Sequence, residues 1–131
     1  MLPNRIVARF VDGRILRGTT QDFAPGKEVF HLIQSEGGAR PVLVSVGDLK
    51  AVFFVRELFG NPGYQELKEF DGPVTGRRLE VTFTDGEVIV GSTPAYQADR
   101  SGFFLVPADK NSNNERIYVV GTAVKDIRFL G

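Results

Sequence analysis

Arg5-Ile6-Val7-Ala8-Arg9-Phe10-Val11-Asp12-Gly13-Arg14-Ile15-Leu16-Arg17-Gly18-Thr19-Thr20 returns later in the chain as Arg78-Leu79-Glu80-Val81-Thr82-Phe83-Thr84-Asp85-Gly86-Glu87-Val88-Ile89-Val90-Gly91-Ser92-Thr93. The offset of 73 residues between Arg5 and Arg78 is kept through to Thr20 and Thr93, and Arg, Phe, Asp, Gly, Gly and Thr recur at matching places. Ile6, Ala8 and Phe10 alternate with Val7, Arg9 and Val11, the period of two that marks a strand. The second copy alternates more sharply, with Leu79, Val81 and Phe83 against Glu80, Thr82 and Thr84. It thereby identifies Ile6, Ala8 and Phe10 as the inward face of the first.

Asp12-Gly13 and Asp85-Gly86 read as hairpin turns, because glycine accepts positive φ without a Cβ clash. A two-residue turn would set Arg17 on the face of Ala8 and Phe10. A three-residue loop with a glycine bulge sets Leu16 there and turns Arg17 to solvent. Burying an unpaired arginine is costly, so the bulged loop is expected in the first copy. Val88, Ile89 and Val90 leave the register of the second copy open. Gly18 and Gly91 fall in mid-strand, where glycine marks a bend or a close backbone approach, the device that curls a short sheet into a small barrel.

Further strands are expected at 29–33, 42–46 and 51–55, matched by 103–106, 117–120 and 126–130. Between the copies, Asn61-Pro62 resembles a helix N-cap followed by proline at the first helical position, predicting a short helix over 62–70. The expected fold class is all-β: a tandem duplication of two five-stranded Sm/SH3-like small barrels with a short linker helix. The domains are 1–58 as the first barrel, 59–76 as the linker and 77–131 as the second barrel. A domain of about 60 residues buries only about 60% of its unfolded surface, so two such units gain by sharing an interface. Leu43, Phe53 and Val55, opposite the inferred cores, are its candidate residues.

Five strands per copy with a bent second strand resemble the Sm-like small barrel of the Sm, Lsm and Hfq proteins. The residues that carry this are Phe10-Val11-Asp12-Gly13-Arg14-Ile15-Leu16-Arg17-Gly18 and Phe83-Thr84-Asp85-Gly86-Glu87-Val88-Ile89-Val90-Gly91. The whole chain is also similar to a bacterial family of unknown function, through Arg9-Phe10-Val11-Asp12-Gly13-Arg14, Thr20-Gln21-Asp22-Phe23, Lys50-Ala51-Val52-Phe53-Phe54-Val55-Arg56 and Gly102-Phe103-Phe104-Leu105-Val106-Pro107-Ala108-Asp109. The Sm likeness implies association through edge strands, so that about three tandem chains would imitate a six-barrel ring, and it implies RNA binding. The Sm pattern of Asp followed by Asn before the third strand is absent after Asp22, and Gly47-Asp48-Leu49-Lys50 replaces the Arg-Gly motif before the last strand. Phe23 and Tyr96 are the aromatics placed for base stacking.

The chain has 131 residues, 16 Lys+Arg against 16 Asp+Glu, one His and no Cys. Zero net charge removes the general field of a nucleic-acid binder and any bulk attraction to anionic membranes. Disulfides, thiolate metal sites and thiol catalysis are excluded. No signal peptide or membrane span is read in the sequence, so a cytoplasmic location is expected. His31 is matched by Phe104 and is not required as a base. Asp109-Lys110-Asn111-Ser112-Asn113-Asn114 resembles half a calcium loop but carries Asn114 and Val120 where glycine and glutamate belong, and reads as a polar loop.

The expectation is therefore a protein that is not an enzyme, with no catalytic residues, no cofactor and no metal. It would act as a binding module for protein-interaction and assembly, with a protein partner or self-association favoured over nucleic acid and no small-molecule substrate identified. The alternative is RNA or another polyanion on an arginine face of the first barrel, formed by Arg5, Arg9, Arg14 and Arg17. Guanidinium groups hold phosphates through paired hydrogen bonds. The structural turn and bend positions are Asp12, Gly13, Gly18, Asp85, Gly86 and Gly91.

Overall fold

A computed structural model describes residues 3–36, 40–60, 63–70, 72–94, 96 and 101–131. The strands are β1 (Asn4–Phe10), β2 (Ile15–Thr20), β3 (Val29–Gln34), β4 (Pro41–Ser45), β5 (Leu49–Val55), β6 (Arg77–Phe83), β7 (Val88–Thr93), β8 (Gly102–Pro107), β9 (Asn114–Val120) and β10 (Val124–Phe129). Short 3₁₀ turns at Val46–Asp48 and Gly121–Ala123 lead into β5 and β10.

Local chemistry closes both hairpins in the same way. The Phe10 N–H donates to the Arg14 carbonyl at 2.9 Å and the Gly13 N–H to the Phe10 carbonyl at 3.1 Å. Gly13 takes φ +97° and Gly86 φ +94°, the left-handed region that glycine enters freely. Asp12 Oδ1 accepts the Arg14 N–H at 3.0 Å, and Asp85 Oδ1 accepts the Glu87 N–H at 2.9 Å. Each aspartate thus ties its own turn by the short side-chain bond that favours it there. Ala8 lies opposite Leu16, so the first hairpin has the bulged three-residue loop, and Val81 opposite Ile89 gives the second the same register.

The strands form one continuous ten-stranded antiparallel sheet in the order β10-β6-β7-β8-β9-β5-β1-β2-β3-β4. They do not separate into two sheets, because β5 pairs with β1 along one edge and with β9 along the other. Within each half the order is the same, β5-β1-β2-β3-β4 and β10-β6-β7-β8-β9. The registers agree as well: Ile6 faces Gly18 and Leu79 faces Gly91.

Two apolar clusters interlock across the β5–β9 seam, because all seven residues of β5 are buried. Val52 and Phe54 join Ile6, Ala8, Phe10, Phe30 and Leu32, together with Tyr118 and Val120 from β9. Ala51, Phe53 and Val55 point the other way, with Val7, into the cluster of Leu79, Val81, Phe83, Phe103, Leu105, Ile117 and Val119. Each half therefore lends side chains to the core of the other. At roughly 1.5–3 kcal/mol for each fully buried large apolar side chain, this exchange is the main energetic tie between them.

The helix expected over 62–70 does not form. Residues 63–70 contain no helix and run as an exposed strap, while Asn61, Pro62 and Asp71 lie outside the described residues. The cause is competition for a backbone donor. A helix would direct the Leu67 N–H to the carbonyl of residue 63. Instead it donates to Asp109 Oδ2 at 2.8 Å, and the Tyr64 hydroxyl donates to that same oxygen.

One buried group shows where the two halves differ. The Thr20 hydroxyl donates to the His31 carbonyl at 2.7 Å and lies 3.2 Å from Asp22 Oδ1. Its counterpart Thr93 is 2% exposed, and its hydroxyl has no hydrogen-bond partner among the described residues. Ala95 stands 73 residues after Asp22, so the second half lacks that carboxylate. An unsatisfied buried hydroxyl costs about 1–3 kcal/mol. Thr93→Val, which keeps the shape and removes the hydroxyl, should raise the urea midpoint by a stabilisation of about 1 kcal/mol, whereas Thr20→Val should lower it. A lower midpoint for Thr93→Val would refute this account.

Candidate functional site

The four arginines expected on one face are divided by the structure. The Arg5 Nη1–H donates to the Arg56 carbonyl at 2.5 Å. The Arg14 Nε–H donates to Asp12 Oδ2 at 2.8 Å, and its guanidinium lies 4.2 Å from the Phe10 ring centre. That contact holds the Asp12 carboxyl below its ordinary value, through the Arg14 backbone N–H first and the side chain second.

Arg9 and Arg17 are brought together. Opposed residues of an antiparallel pair share a face, and Val7 opposite Arg17 with Arg9 opposite Ile15 sets all four on one side of the hairpin. This side opens into a cleft of about 310 Å³ at the seam. The expectation that Arg17 turns freely to solvent is corrected. It is half-buried, with its guanidinium 5.3 Å from the Phe59 ring centre and its Nε buried without a hydrogen-bond partner among the described residues. Arg9 lies 5.6 Å from the Phe53 ring centre.

Of the candidate interface residues, Phe53 and Val55 line this cleft and reach the second half's cluster. Leu43 lies apart from them, 59% exposed on the outermost strand β4. Gly18 and Gly91 sit where β2 and β7 meet β3 and β8: Gly18 pairs with Gln34 and Gly91 with Pro107. Asp12, Gly13, Asp85 and Gly86 form the turns described above.

Lys50 bridges the halves beside the cleft. It is 7% exposed, and its Nζ donates to Asp85 Oδ2 at 2.7 Å and also to Glu87. Its hydrogen bond holds the Asp85 carboxyl below the usual range. A lysine standing just before the apolar run Ala51-Val52-Phe53-Phe54-Val55 gives no hint of an inward ion pair. No local pattern marks Phe59, Tyr64 or Glu87 as site residues, and Asp109 reads only as the start of a polar loop. Asp109, 6% exposed, anchors the strap across the cleft. Its carboxyl is lowered by the Leu67 N–H first and the Tyr64 hydroxyl second, and Tyr64 is raised by the same bond.

The aromatics expected to stack on bases pack within the fold. Phe23 lies 5.2 Å from Phe30 and 5.1 Å from Tyr118, and Tyr96 lies 5.2 Å from Phe103 and 5.4 Å from Phe129. His31 Nδ1–H donates to Asp22 Oδ2 at 2.7 Å, and its backbone N–H donates to Asp22 Oδ1 at 2.9 Å. These bonds, the ring bond first, pull the Asp22 carboxyl down to about 2. The Thr20 hydroxyl bonds to Asp22 and a carbonyl, so the group ties a loop to a strand.

Among the described residues no group of three or more His, Asp or Glu could hold a metal ion. No helix among them is long and apolar enough to cross a membrane. No curated protein and no solved structure matches the chain. A family model matches residues 2–131, nearly end to end, and the chain accordingly belongs to that family, a family of unknown function (DUF6982).

Proposed function

We infer that the protein is a non-enzymatic assembly module made of two Sm-like halves in tandem, and that its partner is a second copy of this chain. The observation that carries this is the inner seam, in which β5 of one half pairs with β9 of the other. β4 and β10, the two outermost strands, hold in their own halves the places of β9 and β5. The chain thus ends in the same kind of edges that it joins internally, and unpaired edges invite strand addition.

Side chains extend the correspondence. Leu43 stands 75 residues before Tyr118, Phe129 stands 75 after Phe54, and Tyr96 stands 73 after Phe23. In the inner seam the Phe23, Phe54 and Tyr118 rings meet edge to face, with Phe23 5.6 Å from Phe54 and 5.1 Å from Tyr118. A head-to-tail contact would set Leu43 of one copy against Tyr96 and Phe129 of the next. It would also set Lys125 near Asp12, as Lys50 meets Asp85. Val29 and Ile33, 38% and 40% exposed, widen the apolar patch around Leu43.

The outer seam is weaker than the inner one. β10 carries Asp126 and Arg128 where β5 carries Ala51 and Phe53, and β4 opens on Pro41. Charge and proline blunt an edge, so association should depend on concentration. Light scattering should show the mass rising from the 14.4 kDa monomer as the protein is concentrated. Leu43→Lys should hold it at the monomer with an unchanged melting temperature. A strict monomer at high concentration would end the reading. The RNA or polyanion alternative has less support, because Arg5 and Arg14 are occupied by Arg56 and Asp12.

A further inference from the structure

Two arginines in the seam cleft lack an ion-pair partner among the described residues. Arg9 and Arg17 are diagonal neighbours on adjacent strands, about 7–8 Å apart along the sheet. Their guanidinium groups rest on the rings of Phe53 and Phe59. A ring attracts the cation but leaves most of its five N–H donors unmet. Among the described residues neither arginine forms an ion pair. Arg17 Nε is enclosed without a hydrogen-bond partner among the described residues.

The walls narrow the chemistry of the missing acceptor. Glu66 and Glu87 both line the cleft, but Glu87 is already engaged by Lys50. Two arginines against the remaining Glu66 leave one net positive charge. That balance suits a single carboxylate, whereas a phosphate dianion would bring an excess charge close to Glu66. Val7, Phe53, Val55, Leu58 and Phe59 form an apolar wall, and Tyr64, Ser112, Asn113 and Asn114 add uncharged polar groups beside it. A volume of about 310 Å³ sits at the lower end of the roughly 300–1,000 Å³ of small-molecule pockets.

We propose that this cleft binds a small monocarboxylate bearing an aromatic-sized apolar arm. Arg9 and Arg17 take the carboxylate through paired hydrogen bonds, and Phe53 and Phe59 cover the arm. Because the cleft is built from both halves, a ligand there bridges β1, β2 and β5 to the start of β9. The site goes beyond the assembly reading and does not depend on it.

Phenylacetate is a suitable probe, with phenylacetamide and inorganic phosphate for comparison, followed by NMR at low salt. Phenylacetate should shift the Arg17 Nε–H and Phe59 resonances saturably. Arg9→Met and Arg17→Met, which keep most of the apolar stem, should each weaken binding about tenfold or more, the size of a lost charged hydrogen bond. Phe59→Ala, at a 63% exposed position, should weaken phenylacetate and leave inorganic phosphate unchanged. The proposal is overturned if phenylacetate gives no saturable shift, if phenylacetamide binds as well, if phosphate alone binds as tightly, or if the arginine variants bind like the wild type.

Discussion

Gly18→Ala is expected to destabilise the protein beyond the roughly 0.5–3 kcal/mol of ordinary point substitutions, and Gly91→Ala is expected to do the same. A Cβ on Gly18 would lie 2.8 Å from the Ile33 carbonyl carbon and closer still to its oxygen. The obstacle is backbone, so no rotamer change relieves it. A Cβ on Gly91 would meet the Val106 carbonyl oxygen and lie 2.8 Å from Leu105 Cγ. At both positions a strand still paired with one neighbour takes up a second. β2 pairs with β1 over Ile15–Thr20 but touches β3 only through Gly18 and Thr19. An added methyl would therefore push apart the one junction that turns the hairpin onto the third strand. Gly47 supplies the control, since a Cβ there meets nothing within 4 Å, and Gly47→Ala should stay within about 0.5 kcal/mol. Urea melts of the three variants would decide the matter. Midpoints for Gly18→Ala and Gly91→Ala close to that of Gly47→Ala would show that the crossings tolerate a side chain.

Phe53→Ala should cost about 3–5 kcal/mol, the range for emptying a large aromatic from a packed core. Phe53 belongs by sequence to the first half, yet it packs among Leu79, Phe83 and Phe103 of the second. The cavity would open at the seam, and Arg9 would lose the ring that supports it. Because each half lends residues to the other's cluster, melting should remain a single transition, with far-ultraviolet circular dichroism and tyrosine fluorescence moving together. A variant that melts in two separate steps, or that melts with the wild type, would contradict the interlocked cores.

The strands were legible because alternation, the Asp-Gly turns and the 73-residue offset all pointed the same way. Ile6, Ala8 and Phe10 could be assigned inward since Leu79, Val81 and Phe83 alternate with polar neighbours that the first copy lacks. The seam was only half legible. Phe53 and Val55 stand out as apolar residues on a face that ought to be wet. Leu43 has the same character but stays exposed, because the side of β4 it occupies has no second half lying against it. The strap departs from its local sequence signal for a different reason. Asn61-Pro62 is a sound local start signal, but the carboxylate that claims the Leu67 N–H comes from Asp109, 42 positions further along the chain. No window of local sequence contains that competition. The cleft escaped notice on similar grounds: Arg9 and Arg17 were visible as a pair, but Phe59, Glu87 and Asn113 reach the same opening from three separate segments.

The exposed strap has one further consequence. Its described residues contribute no strand, so the covalent thread from residue 56 to residue 76 serves as a tether between partners that already fit. A tether turns an encounter between two molecules into one within a single molecule, with a local concentration set by its length. Pairing of β5 with β9 is therefore insensitive to dilution, and a chain nicked within the strap would yield two pieces able to find each other again without it.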